Sequence, residues 1–135
     1  MYKNILVAVA MDHAHDSAGA FGVARALAED GASITALNVL EEIPAYMTNY
    51  LPEDLHKNRR SEAEAELKAE LGGVADVKPV VVSGNAGTAI VEYASEQEID
   101  CIVIASHRPG LQDYFLGSTA SRVVRHAPCA VHVVR

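Results

Sequence analysis

Half of the 135 residues are hydrophobic, yet no apolar stretch approaches the ~18 residues needed to cross a bilayer. The chain does not read as a membrane protein. Its start, MYKNILVAVAM, has a lysine, an apolar run and a small-x-small triplet at Ala8-Val9-Ala10. The apolar part before that triplet is far shorter than the ~7–15 residues of a signal-peptide core, so a first strand explains it and the cytoplasm is the expected compartment. Basic charge is also scarce. Eleven Lys and Arg stand against eighteen Asp and Glu, for a net charge of −7 and a pI near 5.2. There is no basic block longer than Lys57-Asn58-Arg59-Arg60. An acidic surface repels polyanions, which excludes nucleic acid and anionic membrane as main partners and leaves a small anion held at one local site. Cysteine occurs twice, without C-x-x-C or a metal-ligand spacing. Cys101 lies inside a strand pattern and Cys129 at the start of another, as expected of buried reduced thiols. Internal repeats, low-complexity tracts and linkers are absent, and the length suits one core without staples, so residues 1–135 are expected to form a single domain.

What the chain does contain is apolar runs alternating with helix-period segments. The strand candidates are Asn4–Ala10, Ser33–Val39, Lys78–Val82, Cys101–Ala105 and Ala130–Val134, short runs of Val, Ile, Leu and Ala with polar or Gly/Pro boundaries. Helix candidates between them are Asp16–Glu29, Glu53–Leu71, Thr88–Gln97 and Thr119–His126. Strands apolar on both faces and separated by helices predict a five-stranded parallel sheet covered on each side, an α/β domain. The long connection Leu40–Pro52, with two Tyr, a Met and two Pro, reads as a surface loop whose aromatics cover the next helix, with a lid over a ligand as the sharper alternative. Gly72-Gly73 stops the second helix.

In an open α/β sheet, ligands bind beyond the carboxyl ends of the strands, where the strand order reverses. The loop after the first strand, Met11-Asp12-His13-Ala14-His15-Asp16, has neither G-x-G-x-x-G nor G-x-x-x-x-G-K-[ST]. Its Asp and His residues lack a third ligand at a diagnostic spacing, and a helix N-cap at Asp16 or Ser17 beside solvated imidazoles accounts for them better than a metal. The loop after the third strand, Ser83-Gly84-Asn85-Ala86-Gly87-Thr88, holds no basic residue and reads as a tight turn with Asn85 or Thr88 as N-cap. The segment from Cys101 to Arg125, CIVIASHRPGLQDYFLGSTASRVVR, is different. His107 and Arg108 bring positive or switchable charge, and Gly117 lets backbone approach an anion. Ser118 and Thr119 add hydroxyls and backbone N–H groups at a helix start whose next charged residue is Arg122. Taken singly, Ser118 or Thr119 could be a mere cap and Arg108 a solvated cation. Their co-occurrence at a strand's carboxyl end marks a phosphate site.

Taken together, KNILVAVAMD at the start, GNAGTAI before the third helix and IVIASHRPGLQDYFLGSTASRVVRHAPCAVHVVR at the end resemble the universal stress proteins in their small nucleotide-binding form, over the whole chain. That resemblance implies a Rossmann-like, adenine nucleotide α-hydrolase-like sheet of order 3-2-1-4-5. The family's usual motif is G-x-x-G, about nine residues, then G-[ST]. Here Ala105 and Arg108 stand where the first glycines normally are, and eight residues precede Gly117. The Ser-His-Arg-Pro variant with Leu-Gly-Ser looks like a subgroup that includes ATP binders. By this resemblance the phosphates meet Ala105, Ser106, His107, Arg108, Gly117, Ser118, Thr119 and Ala120, with Arg108 in direct contact. Members commonly read Pro-Val-Asp at the end of the first strand, the Asp meeting adenine or ribose. This chain reads Ala8-Val9-Ala10 with Asp12 two residues on, which places Val9 and Ala10 there. Val39 matches the position whose backbone pairs with the adenine edge, a contact that survives side-chain variation.

The expected function is regulatory, stress-response binding of ATP, ADP or AMP, with Mg²⁺ as companion ion and neither a catalytic residue nor a protein-held metal. An alternative is a slow nucleotidase or phosphotransferase using the same pocket. It would need a carboxylate pair for Mg²⁺ or a base near the phosphates, and the loop offers only Asp113 and His107, so at most weak hydrolysis is expected. Another alternative is a family member that binds no nucleotide and acts through its dimer. A phosphoacceptor receiver domain needs an Asp ending the third strand and a Lys after the fifth, where this chain has Ser83 and then Arg135. The last strand, Ala130–Val134, carries Val131, Val133 and Val134 without Pro or Lys and has no further strand to cover its edge. Exposed apolar edges are managed by pairing, and fifth strands pair antiparallel in similar proteins, so a homodimer through this strand is expected.

Overall fold

The computed structural model describes residues 1–10, 17–41, 53–71, 76–105 and 117–134. Its elements run β1 (Tyr2–Ala8), α1 (Ser17–Leu27), β2 (Ala28–Leu40), α2 (Glu53–Glu70), β3 (Val77–Ser83), α3 (Ala86–Glu96), β4 (Cys101–Ala105), α4 (Ser118–His126) and β5 (Ala130–Val134). The strands form one five-stranded sheet of order β3-β2-β1-β4-β5. Every neighbouring pair is parallel, with Ile5 opposite both Ile34 and Cys101, Leu6 opposite Thr35 and Ile102, and Val7 opposite Ala36 and Val103.

Period-two alternation sends β1 into two cores. Ile5 and Val7 pack on one side with Ala20, Phe21 and Ala24 of α1 and Ala63 and Leu67 of α2. Leu6 packs on the other with Ile90 and Ala94 of α3 and Ala120 and Val123 of α4. Ile5, Leu6 and Val7 are all 0% exposed, and each such burial is worth ~1.5–3 kcal/mol relative to exposure. Among its described side chains, the highly charged α2 buries Ala63 and Leu67, an apolar stripe at i,i+4, while most of the others are exposed. Among the described residues no helix is long and apolar enough to cross a membrane.

The β4 and β5 bounds coincide with the apolar runs, whereas β1 and β2 begin earlier than hydrophobicity suggests. Asp100 is the cause for β1: its carboxylate accepts the N–H of Lys3 at 2.8 Å and of Asn4 at 3.0 Å. The Asp100 N–H in turn donates to the Asn4 carbonyl at 3.0 Å, and Asn4 Nδ2 donates to the Gln97 carbonyl at 2.9 Å. These polar residues are in the strand because their backbone groups have partners, which no hydrophobic pattern reports. In β2 the extension back to Ala28, which pairs with Tyr2, passes a register irregularity and Gly31 at φ +81°. The connection 42–52 and the Gly72-Gly73 stop lie outside the described residues.

The two sheet edges differ. β3 carries Pro79, and Arg60 of α2 donates from Nη2 to the Val81 carbonyl at 3.1 Å while pairing with Glu64 at 3.3 Å. That edge is blunted by a missing donor and an occupied acceptor. Along β5 no described residue other than those of β4 pairs with the strand.

Two predictions follow from this geometry. Asp100→Ala removes the acceptor of two backbone N–H groups and should lower unfolding free energy by ~1–3 kcal/mol, read as a lower urea midpoint at unchanged m. Cys101 is buried between β1 and β5, and burial first, then the nearby Cys129 and Asp100, pushes its thiol up from 9.0 to about 11. An acid whose folded pKa is raised contributes stability in full below its unfolded value and loses it as pH climbs through the folded one. Wild-type stability relative to Cys101→Ala should therefore be flat up to about pH 9 and fall towards about pH 11, measured by denaturant titration across that range. A flat difference would contradict it.

Candidate functional site

Strand order reverses at β1, which lies between β2 and β4, so the chain leaves β1 and β4 toward opposite faces and opens a crevice at their carboxyl ends. On one side of it, the Val9 N–H donates to the Leu37 carbonyl at 2.9 Å and Asn38 Nδ2 donates to the Val9 carbonyl at 2.9 Å. These bonds hold Val9 and Ala10 beside the end of β2, where Val39 sits. Asn38 is 5% exposed, and its Oδ1 has no hydrogen-bond partner among the described residues. A polar residue inside the apolar run Leu37-Asn38-Val39-Leu40 was the signal that could have singled it out, since a buried amide needs a reason.

On the other side, β4 ends at an exposed Ala105, and α4 begins with Gly117 as its N-cap. Gly117 has φ −57° and ψ 156° and offers no side-chain cap. That backbone conformation is open to any residue, so glycine is not required there by φ. What it supplies is an absent side chain. The Ser121 N–H reaches the Gly117 carbonyl at 2.8 Å as the first helical bond, leaving the N–H groups of Ser118, Thr119 and Ala120 without intrahelical acceptors. Neither Ser118 nor Thr119 is the cap, contrary to the blander expectation for them. Ala120 is 2% exposed and packs in the core, so only its backbone faces the site. Ser106, His107 and Arg108 lie outside the described residues, as do Asp12, His13, His15 and Asp16. Among the described residues no group of three or more His, Cys, Asp and Glu could hold a metal ion.

The loop after β3, expected to be only a turn, comes to the same place. Gly84 makes that turn at φ +141°, a conformation L side chains rarely adopt, and Asn85 caps α3 by accepting the Thr88 N–H at 3.2 Å. α3 and α4 then bring their amino ends together around a cleft of about 220 Å³ lined by Asn85, Gly87, Ser118, Thr119 and Arg122. Neither helix has an acidic residue in its first turn. Two positive helix ends and an arginine, with no carboxylate among the described lining residues, make an environment suited to an anion. Arg122 and Gly87 were missed from sequence because only tertiary packing sets α3 against α4.

The family model described as the universal stress protein family matches residues 1–135. A universal stress protein of Thermus aquaticus is 34% identical over the full length of both chains. Among solved structures, UspA from Lactobacillus plantarum superimposes with a TM-score of 0.78 at 30% identity, covering 99% of this chain and 98% of that one. A universal stress protein solved in complex with cAMP has a TM-score of 0.56 at 22% identity, covering 99% and 97%.

Proposed function

The chain belongs to the universal stress protein family, and from that premise we propose that it is a regulatory, stress-response protein of the cytoplasm that binds ATP or a related adenine nucleotide. Residues 1–135 act as one domain. The phosphates lie on the start of α4, Ser118 to Ala120, with Ser106, His107 and Arg108 as further contacts implied by the family resemblance, and the base lies by Val9, Ala10 and Val39. The observation that carries this reading is the side-chain-free N-cap of α4 beside the reversal of strand order. α3 satisfies one of its own amino-terminal N–H groups through Asn85, whereas α4 offers its N–H groups to whatever occupies the site. A relative solved with a cyclic nucleotide supports the ligand class. Mg²⁺ enters as the nucleotide's counter-ion. The protein is a binder rather than an efficient hydrolase, since turnover asks for a carboxylate pair or a base beside the phosphates.

Gly117→Asp tests the phosphate site without sacrificing the fold. Aspartate suits both the N-cap position and the observed backbone angles, so helix stability should be unchanged or rise by a few tenths of a kcal/mol. Its carboxylate would occupy the anion's donors itself. Calorimetric titration of ATP with Mg²⁺ into nucleotide-stripped protein should show uptake by wild type and none by Gly117→Asp, with unchanged thermal melting. Wild type that takes up no ATP, ADP or AMP at millimolar ligand would overturn the nucleotide reading.

We also propose a homodimer through β5, because the sheet blunts its β3 edge with Pro79 and Arg60 but carries neither device on β5. Sedimentation at micromolar concentration should give twice the 14.4 kDa chain mass. Ala130 and His132 are exposed and outside both cores, so replacing both by lysine should yield folded monomer. A wild-type monomer would refute the dimer.

A further inference from the structure

We infer that Arg122 makes the site selective for the number of phosphates, its guanidinium pairing with the terminal phosphate inside the cleft between α3 and α4; this rests on the nucleotide reading above. Arg122 sits in the second turn of α4, one turn beyond the free N–H groups of Ser118 to Ala120, and is exposed. It has no hydrogen-bond or ion-pair partner among the described residues. A guanidinium with no such partner can take a bound phosphate without breaking an existing pair.

Its position is held by packing. A Cβ built on Gly87 would stand 2.7 Å from Arg122 Cδ, 3.0 Å from its Cβ and 3.2 Å from its Cγ. The arginine stem thus lies on the bare backbone of α3, and any side chain at residue 87 would displace it. Helical side chains lean toward the amino end, so Arg122 reaches back toward Ser118, four residues earlier and ~6 Å away along the axis. A single phosphate on the N–H groups of Ser118 to Ala120 satisfies the helix start but leaves that stretch unfilled. A di- or triphosphate extends along it to the guanidinium. The size of the cleft agrees. At about 220 Å³ it is smaller than the ~300–1,000 Å³ that encloses a whole small ligand, and it takes the end of a phosphate chain rather than a nucleoside. The other lining groups, the Asn85 amide and the Ser118 and Thr119 hydroxyls, are donors suited to the same oxygens.

The test is calorimetric titration of AMP, ADP, ATP and inorganic tripolyphosphate into stripped wild type, Arg122→Gln and Gly87→Ala, with circular dichroism melts. Gly87→Ala leaves the arginine present but pushes it aside, and alanine favours the helix. Wild type should bind ATP more tightly than AMP. Both variants should weaken ATP and tripolyphosphate about tenfold to a hundredfold while AMP changes by less than about twofold, the loss of one charge-assisted contact. An Arg122→Gln protein that keeps the wild-type ATP-to-AMP ratio, or loses AMP as much as ATP, overturns the inference and leaves the nucleotide reading intact. Arg122-dependent tripolyphosphate uptake without any nucleotide uptake overturns the nucleotide reading and upholds the phosphate clamp. Wild type that binds none of the four overturns both.

Discussion

The pairing of β1 with β4 is the constraint on which the rest of the structure depends. It joins two halves of the sheet, β3-β2-β1 and β4-β5, through only the pairs Ile5–Cys101, Leu6–Ile102 and Val7–Val103. Parallel strands cannot be joined by a tight turn, and residues 9–100 separate these two. Their alignment is secured at the amino end by Asp100, whose carboxylate and N–H together engage Lys3 and Asn4. Glu98 takes a positive φ of 54° in the turn that delivers Asp100 there, local strain that the clamp outweighs. At the other end of the same strands lies the crevice. The clamp and the site are therefore at opposite ends of one rigid unit, which lets the site carry unsatisfied donors without loosening the fold.

The site is a place where the fold leaves its own hydrogen bonding incomplete. α3 and α4 pack on the same face, share a core and present their amino ends to one cleft, but only α3 closes a capping bond. Asn38 adds a buried Oδ1 without a partner among the described residues, at the edge where β1 and β2 end. An unfilled cap and an unpartnered acceptor each cost on the order of 1 kcal/mol. A family whose members share this fold can bear that cost where a ligand recovers it. Gly87 has a related role. Its missing side chain leaves room for the Arg122 stem, which lies against it at the cleft that both residues line.

The edges of the sheet reflect the same economy of interactions. Arg60 covers an outward carbonyl of β3 and Pro79 removes a donor there, so that edge is closed to another chain. β5 has half-buried valines and an exposed His132 and no such device. Of the two cysteines expected to be buried, Cys101 is buried and Cys129 only half-buried, and burial raises both thiols above their ordinary value.

Much of this was legible in the chain itself. Short continuous apolar runs between helix-period segments dictate a parallel α/β sheet, because strands apolar on both faces must be covered on both. The residues Cys101–Ala105 and Gly117-Ser118-Thr119 identified a strand end and an anion-suited helix start, and the likeness of the whole chain to one family supplied the strand order. Hydrophobicity could not find the polar start of β1, since Asp100, distant in sequence, supplies the hydrogen bonds that make Lys3 and Asn4 part of a strand. It could not bring the two glycine-containing loops together either. Asn85 and Gly87 read as a turn, Arg122 only as the next charged residue of its helix, and no local pattern links residues 87 and 122. Sequence by itself determined which segments are strands and helices and which helix start lacks an acid, because these are properties of neighbours along the chain. Only the tertiary structure decided that two helix ends share one cleft with an arginine that has no partner among the described residues, because that depends on an arginine stem packing against a helix of distant sequence where a side chain is missing.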